Sequence, residues 1–206
     1  MTASTTRPAR TTHRRVWRWR VVDIVVASVL AVACGFLFVV WNIGYQGPSN
    51  LLTPLLPGLQ ALANGPWLIA GPLVALVVRK PGAALYGELL AATVSALVGN
   101  QWGAATLVSG LVQGVGAEVV FALFLYGSWR WWVAMLAGAG AGVAAAINEL
   151  IVYYAGSTPT FAAIYVVAYV VSGALFAGLL AWSLVRALAA TGALSRFAVG
   201  RERMRS

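Results

Sequence analysis

Three glutamates, Glu88, Glu118 and Glu149, stand inside stretches of sequence that are otherwise almost wholly apolar. A carboxylate in such a setting can accept charge-assisted hydrogen bonds, hold a cation or an amidine-like edge, or relay a proton. It is costly in lipid, roughly 2.5 to 3.5 kcal/mol at mid-bilayer on insertion scales, so each marks a candidate functional position facing the inside of a bundle. The plainer alternative is an internal salt bridge or a hydrogen bond to a neighbouring helix. Around them stand Trp41, Asn42, Trp67, Asn100, Trp102, Gln113 and Asn148, and Tyr165 and Tyr169, whose spacing puts them on one helical face with Ser172. Rings with a few hydrogen-bonding groups are the usual lining of a small-molecule pocket. Some of the aromatic residues, above all Trp131, Trp132 and Tyr154, read equally well as a membrane-interface belt, with Trp17 and Trp19 anchoring the first helix.

Several chemistries are excluded by inventory. The lone His13 lies in a Thr- and Arg-rich tail that reads as disordered, and the lone Cys34 in an apolar run. That removes histidine triads, histidine metal clusters and an intramolecular disulfide. No nucleophile stands beside a base and no GxxxxGK[ST] loop occurs. The run AGAGAG at 137–142 lacks the preceding strand, the third glycine at the right spacing and the lysine that phosphate loops require. The sequence therefore implies no catalytic residue, no metal and no cofactor, and any uphill transport must draw on partner subunits or an ion gradient.

The elements that position these residues follow from composition. Hydrophobic residues make up 61% of the 206 and charged residues 9%, and the mean hydropathy is +0.83; these are the values of an integral membrane protein. A net charge of +9 could suggest nucleic acid, but the 14 Lys and Arg residues fall in four places only: Arg7 to Arg20, the pair Arg79 and Lys80, Arg130, and Arg186 onward. The apolar segments between them read as six helices: Val21–Trp41, Leu59–Val78, Pro81–Val98, Ala104–Tyr126, Trp131–Tyr154 and Phe161–Leu184. The first is too long for a signal-peptide core and lacks a cleavage pattern, so it is expected to be retained. Pro66 and Pro72 are tolerable inside a membrane helix, and Pro81 suits a first helical turn.

The expected fold is an all-α membrane protein, a compact bundle of six transmembrane helices with both termini in the cytoplasm. Loops 42–58, 99–103 and 155–160 carry no Lys or Arg, which places them outside. A disordered basic tail at 1–20, a membrane domain over 21–186 and a basic cytoplasmic tail at 187–206 complete the organisation. Gly110 and Gly114, Gly138 and Gly142, and Ala174 and Gly178 allow close helix crossings; Ala27, Ala31 and Gly35 give the first helix a smooth face for another backbone, from the same bundle or from a partner. At about 1.5 Å per residue, Glu88 lies about 10 Å past Pro81 and Glu118 about 21 Å past Ala104, at similar depths nearer the basic side, where Arg79 or Lys80 could reach one of them. Glu149 lies nearer the outer end.

RKPGAAL at 79–85 followed by Glu88, LVGN at 97–100, GLVQGVGAEVVFA at 110–122 and SGALFAGLL at 172–180 resemble the YkoE family, substrate-binding S components of energy-coupling factor (ECF) transporters for thiamine and its hydroxymethylpyrimidine precursor. The likeness runs from about Val21 to Arg203. It implies a multi-pass protein of the cell membrane that captures thiamine or hydroxymethylpyrimidine from outside and works with a transmembrane T component and two ATPase subunits. It implies no enzymatic activity of its own and no nucleic acid partner. Under it, Glu88, Glu118 or Glu149 would hold the aminopyrimidine, and Trp41, Trp67, Trp102, Tyr165 or Tyr169 would stack on it or face the thiazolium. Asn42, Asn100, Gln113 and Asn148 would add hydrogen bonds. The loop at 42–58 would act as a lid, and the Ala27, Ala31 and Gly35 face resembles the pattern by which S components meet the T component. The alternative is a stand-alone proton-coupled carrier with Glu88 and Glu118 as its relay; a small intramembrane lyase or hydrolase is a third reading.

Overall fold

The computed structural model describes residues 17–203. The expected disordered tail, with His13, falls mostly at residues 1–16, which with 204–206 lie outside the described residues. The chain forms α1 (Val21–Gly44), a short α2 (Gln46–Leu52), a 3-10 helix (Leu59–Leu68) running into α3 (Ala70–Val78), then α4 (Ala83–Val98), α5 (Ala105–Leu123) and α6 (Trp131–Val152). A last long rod comprises α7 (Pro159–Ser172), a π-helical segment (Gly173–Leu180) and α8 (Ala181–Ala190), and α9 (Ala198–Arg203) follows. Segments 21–44, 59–78, 105–123, 131–152 and 159–190 are long and apolar enough to cross a membrane, and Ala83–Val98 is a shorter apolar helix. The all-helical, six-segment architecture is thus the expected one, with no strand among the described residues.

The segment 59–78 is the axis of the bundle: every residue of α3 is buried, while α1 turns Val25, Val29, Phe36 and Val40 outward. Such outward apolar faces suit lipid, since a membrane helix satisfies its own backbone and needs no polar exterior. The expected α-helix over this axis is instead 3-10 up to Leu68. Pro66 has no N–H to give, and Ser172 of α7 takes over the local hydrogen bonding, accepting from Gly65 N at 3.0 Å and donating to the Leu62 carbonyl at 2.6 Å. The loop expected at 42–58 contains the α2 turn, and the third helix starts at Ala83 because Gly82 turns the chain with φ at +81°.

At the basic end, buried Asp23 receives hydrogen bonds from Arg20 and Lys80, and Trp19 Nε1 donates to the Pro81 carbonyl at 3.0 Å. Together they fasten α1 to the α3–α4 turn. Leu194, Phe197 and Val199 are buried, so the segment expected only as a basic tail folds back on the bundle.

Close crossings explain the glycines. A Cβ on Gly138 would lie 2.2 Å from the Gly173 carbonyl oxygen and 2.7 Å from Gly178 N, so α6 and the π-helical segment touch backbone to backbone. AGAGAG is a packing surface. Gly138→Ala is expected to destabilise the bundle by about 1–3 kcal/mol, since overpacking displaces a neighbour that cannot yield. Thermal unfolding in detergent checks this against Gly44→Ala, where an added Cβ meets nothing within 4 Å.

Of the two readings of the small-residue face of α1, packing within the bundle is the one visible in this chain. Ala27 and Ala31 are fully buried and Gly35 lies against Val94 and Ala91 of α4. The smooth face of α1 is covered by this chain's own α4, because small residues let the nearest helix approach first.

Candidate functional site

At the end of the bundle that lacks Lys and Arg, a cavity of about 410 Å³ opens between α1, the 3-10 helix, α4, α5, α6 and α7. Glu149, near the C-terminal end of α6, sits on its wall. The Glu149 carboxylate accepts from Tyr165 OH at 2.5 Å on one oxygen and from Tyr169 OH at 2.7 Å on the other. Both phenols come from the same face of α7, where i and i+4 side chains stack one above the other. Asn64 of the 3-10 helix donates to Tyr165 OH at 3.3 Å and reaches Glu149 at 3.5 Å. The acid is therefore held in one orientation by three side chains from two other elements. Tyr153, just beyond α6, also lines the cavity, and burial together with the Glu149 charge raises its pKa.

The same cavity is also lined by a separate aromatic cluster. Tyr45, Trp67 and Trp102 form a closed trio, with ring centroids 5.0, 5.5 and 5.3 Å apart. Trp67 Nε1 donates to Asn42 Oδ1 at 2.8 Å, and Asn42 Nδ2 donates to Ser95 Oγ at 3.1 Å, which leaves the indole face rather than its polar edge for a ligand. Gln101 donates to Tyr45 OH at 3.1 Å and so ties the outer turn to the trio. Gln113 and Thr106 of α5 complete the lining. Glu149 is the one Asp, Glu, Lys or Arg among the described lining residues.

The structure thus brings together Asn42, Trp67, Trp102, Gln113, Glu149, Tyr165 and Tyr169 from the expected set. The others lie elsewhere. Trp41 donates to the Ala63 carbonyl at 2.9 Å and braces the 3-10 helix. Asn100 accepts from Trp102 N and Gly103 N at 2.9 Å each and from Thr106 Oγ1 at 3.0 Å, shaping the turn into α5. Asn148 is partly buried outside the lining.

The other two acids serve helix ends. Glu88 is buried at the bundle centre; its Oε2 accepts from Gly71 N at 2.6 Å, in the first turn of α3, and Oε1 has no partner among the described residues. Glu118 caps α4 from across the bundle: it accepts from Gly82 N at 2.6 Å, Ala84 N at 2.8 Å, Leu85 N at 3.2 Å and Tyr126 OH at 2.8 Å. First-turn N–H groups lack intrahelical acceptors, and an anion there also meets the positive end of the helix dipole. Burial, reinforced by the bond to Glu118, pushes the Tyr126 phenol up to about 12, so it remains a donor at neutral pH. Lys80, expected near one of these acids, pairs with Asp23 instead.

Sequence reasoning missed Asn64 and Ser95 as lining residues. Asn64 carried a readable signal, a lone amide between Ala63 and Gly65 in an apolar segment. Ser95 did not, since small hydroxyls are common in membrane helices.

The sequence matches the family described as the permease component of an ABC-type cobalt transport system over residues 22–144. It is 39% identical over 186 residues to the protein of Bacillus subtilis (strain 168) named HMP/thiamine permease protein YkoE, covering 89% of this chain and 92% of that protein. It is also similar to a crystal structure of an S-component of an ECF transporter, with a TM-score of 0.77 and 35% identity over 91% of this chain and 94% of the other.

Proposed function

Because the chain belongs to the YkoE family of ECF-transporter S components and is a multi-pass membrane protein, we propose that it is the substrate-capture subunit of a vitamin importer whose ligand is thiamine or hydroxymethylpyrimidine. The observation that carries this reading is a cavity lined by one fixed carboxylate and a ring trio, with no Lys or Arg among its described lining residues. Such a cavity favours a flat organic cation. The aminopyrimidine presents an amidine-like edge to Glu149, where charge-assisted hydrogen bonds are strongest. In thiamine the thiazolium then reaches towards Trp67, Tyr45 and Trp102.

Cobalt, named in the description of the matching family, fits the donors less well. The described residues include no group of three or more His, Cys, Asp or Glu that could hold a metal, whereas one carboxylate with phenols and amides suits a heterocycle. The proton-relay alternative has little support, since Glu118 is fully engaged in capping α4 and shares no hydrogen bond with Glu88 among the described residues.

The Lys- and Arg-free end faces outward and the basic end faces the cytoplasm, by the positive-inside rule. The protein lies in the cell membrane, binds vitamin between the α1–α2 corner and α4 to α7, and passes it inward in complex with a T component and two ATPase subunits. In this reading the chain is the non-catalytic subunit, and the energy comes from the ATPase subunits.

Calorimetry of the purified chain with thiamine, hydroxymethylpyrimidine and the thiazole half tests the reading. Heat with thiamine or with the pyrimidine half supports it, and the absence of heat with all three ends it. Trp67→Ala removes the central ring of the trio and is expected to weaken thiamine binding about tenfold, as the loss of a desolvated cation–π contact of ~1–2 kcal/mol requires. The pyrimidine half, which carries no thiazolium, should lose less.

A further inference from the structure

The basic end of the bundle holds a second cavity, about 560 Å³, on whose wall stand Arg79, Arg130 and Arg186 together with Trp129, Trp131 and Trp182. Arg79 lies over the Trp129 ring at 5.7 Å and Arg186 over the Trp182 ring at 4.9 Å. A guanidinium resting on an indole has its plane fixed, and it is the edge of such a plane that matches phosphate oxygens. Arg130 is exposed and is the N-cap residue of α6, whose first turn has no side-chain cap among the described residues. Uncapped first-turn N–H groups and the positive end of the α6 dipole thus add to the same site.

Leu76, Val185, Ala189 and Val199 add an apolar portion to the lining, beside Gly127 and Ser128. Trp131 is half exposed, and Leu123 and Leu125, just before Gly127 in the chain, are among the most exposed large hydrophobics. A soluble anion has no use for such a surface. An anionic phospholipid uses all of it: basic groups for the phosphate, and the apolar part of the lining with the outward leucines for its acyl chains. Basic recesses between membrane helices and interfacial indoles are the features that such headgroups meet.

The geometry points to a binding site for an anionic phospholipid headgroup at the basic end of the bundle, with Arg130 and Arg186 holding the phosphate. The site is at the opposite end from the Glu149 pocket, so vitamin binding reports independently on the fold.

Native mass spectrometry of the full chain in detergent, with added phosphatidylglycerol or phosphatidylcholine, tests it. One phosphatidylglycerol retained per chain, at least tenfold more tightly than phosphatidylcholine, is expected. Arg130→Gln with Arg186→Gln should reduce that preference at least fivefold while thiamine binding stays unchanged. Should the double variant misfold, Arg130→Gln alone, at the exposed rim, should reduce it about threefold. Equal retention of the two lipids, or a preference untouched by either variant, overturns the proposal. Displacement of the lipid by inorganic phosphate or glycerol phosphate at matching concentration overturns it too, because the site would then be one for soluble anions.

Discussion

Glu149→Ala is expected to weaken thiamine binding about 30-fold or more while the protein still purifies as a folded bundle. Truncating one partner of a buried charged hydrogen-bonded contact typically costs about 2–5 kcal/mol, and each ~1.4 kcal/mol is a factor of ten. Glu149 is the single charged group among the described residues of the cavity wall, so no neighbouring acid takes over. Glu149→Gln keeps the shape but replaces one acceptor with a donor, which opposes an amidine-like edge, and should lose nearly as much. Tyr165→Phe and Tyr169→Phe leave the charge in place and remove one orienting hydrogen bond each. Their expected cost is nearer fivefold, the scale of a single ordinary hydrogen bond at ~1 kcal/mol. Calorimetric titration of the set gives that order; a Tyr169→Phe effect equal to that of Glu149→Ala would mean that the phenol, rather than the carboxylate, holds the ligand.

Glu118→Ala should do the reverse, with a large loss of stability and little change in affinity. The side chain accepts from three backbone N–H groups around the start of α4 and from Tyr126, and removing it leaves those donors without an anion at the positive helix end. Hydrogen bonds to a charged group contribute about 1.5–3 kcal/mol net, so a loss of about 3 kcal/mol is a conservative expectation. Thermal unfolding in detergent should show a clear fall in midpoint, partly restored in Glu118→Gln, which still accepts through one oxygen. Thiamine affinity below the midpoint should stay within threefold of the parent. An unchanged midpoint with a 100-fold weaker ligand would return Glu118 to the binding site.

These two acids mark what a chain like this does and does not disclose. Hydropathy and the placement of Lys and Arg located all six membrane segments, because lipid imposes length and apolarity directly on sequence. The position of Glu149 near the Lys-free end, and the common face of Tyr165 and Tyr169, were legible for the same reason: depth and helical phase follow from counting. The roles of Glu118 and Glu88 were not legible. Each meets the N-terminal end of a helix other than its own, and rotation about the axis and contacts across the bundle are set by packing rather than by spacing. Ala27, Ala31 and Gly35 show the same limit. A stripe of small residues announces a close approach without saying which helix makes it, and here α4 occupies it. The 3-10 conformation of Leu59–Leu68 depends on Ser172, a partner more than a hundred positions away that no local pattern could indicate.

The account rests on a heterocycle lying between Glu149 and the Tyr45, Trp67 and Trp102 rings, and a crystal structure of the chain with thiamine bound tests that most directly. The expected result puts aminopyrimidine nitrogens within ~2.7–3.2 Å of the Glu149 carboxylate oxygens and the thiazolium against the ring trio. Thiamine seated at another place in the bundle, or lying in this cavity with its pyrimidine edge turned away from Glu149, would contradict it.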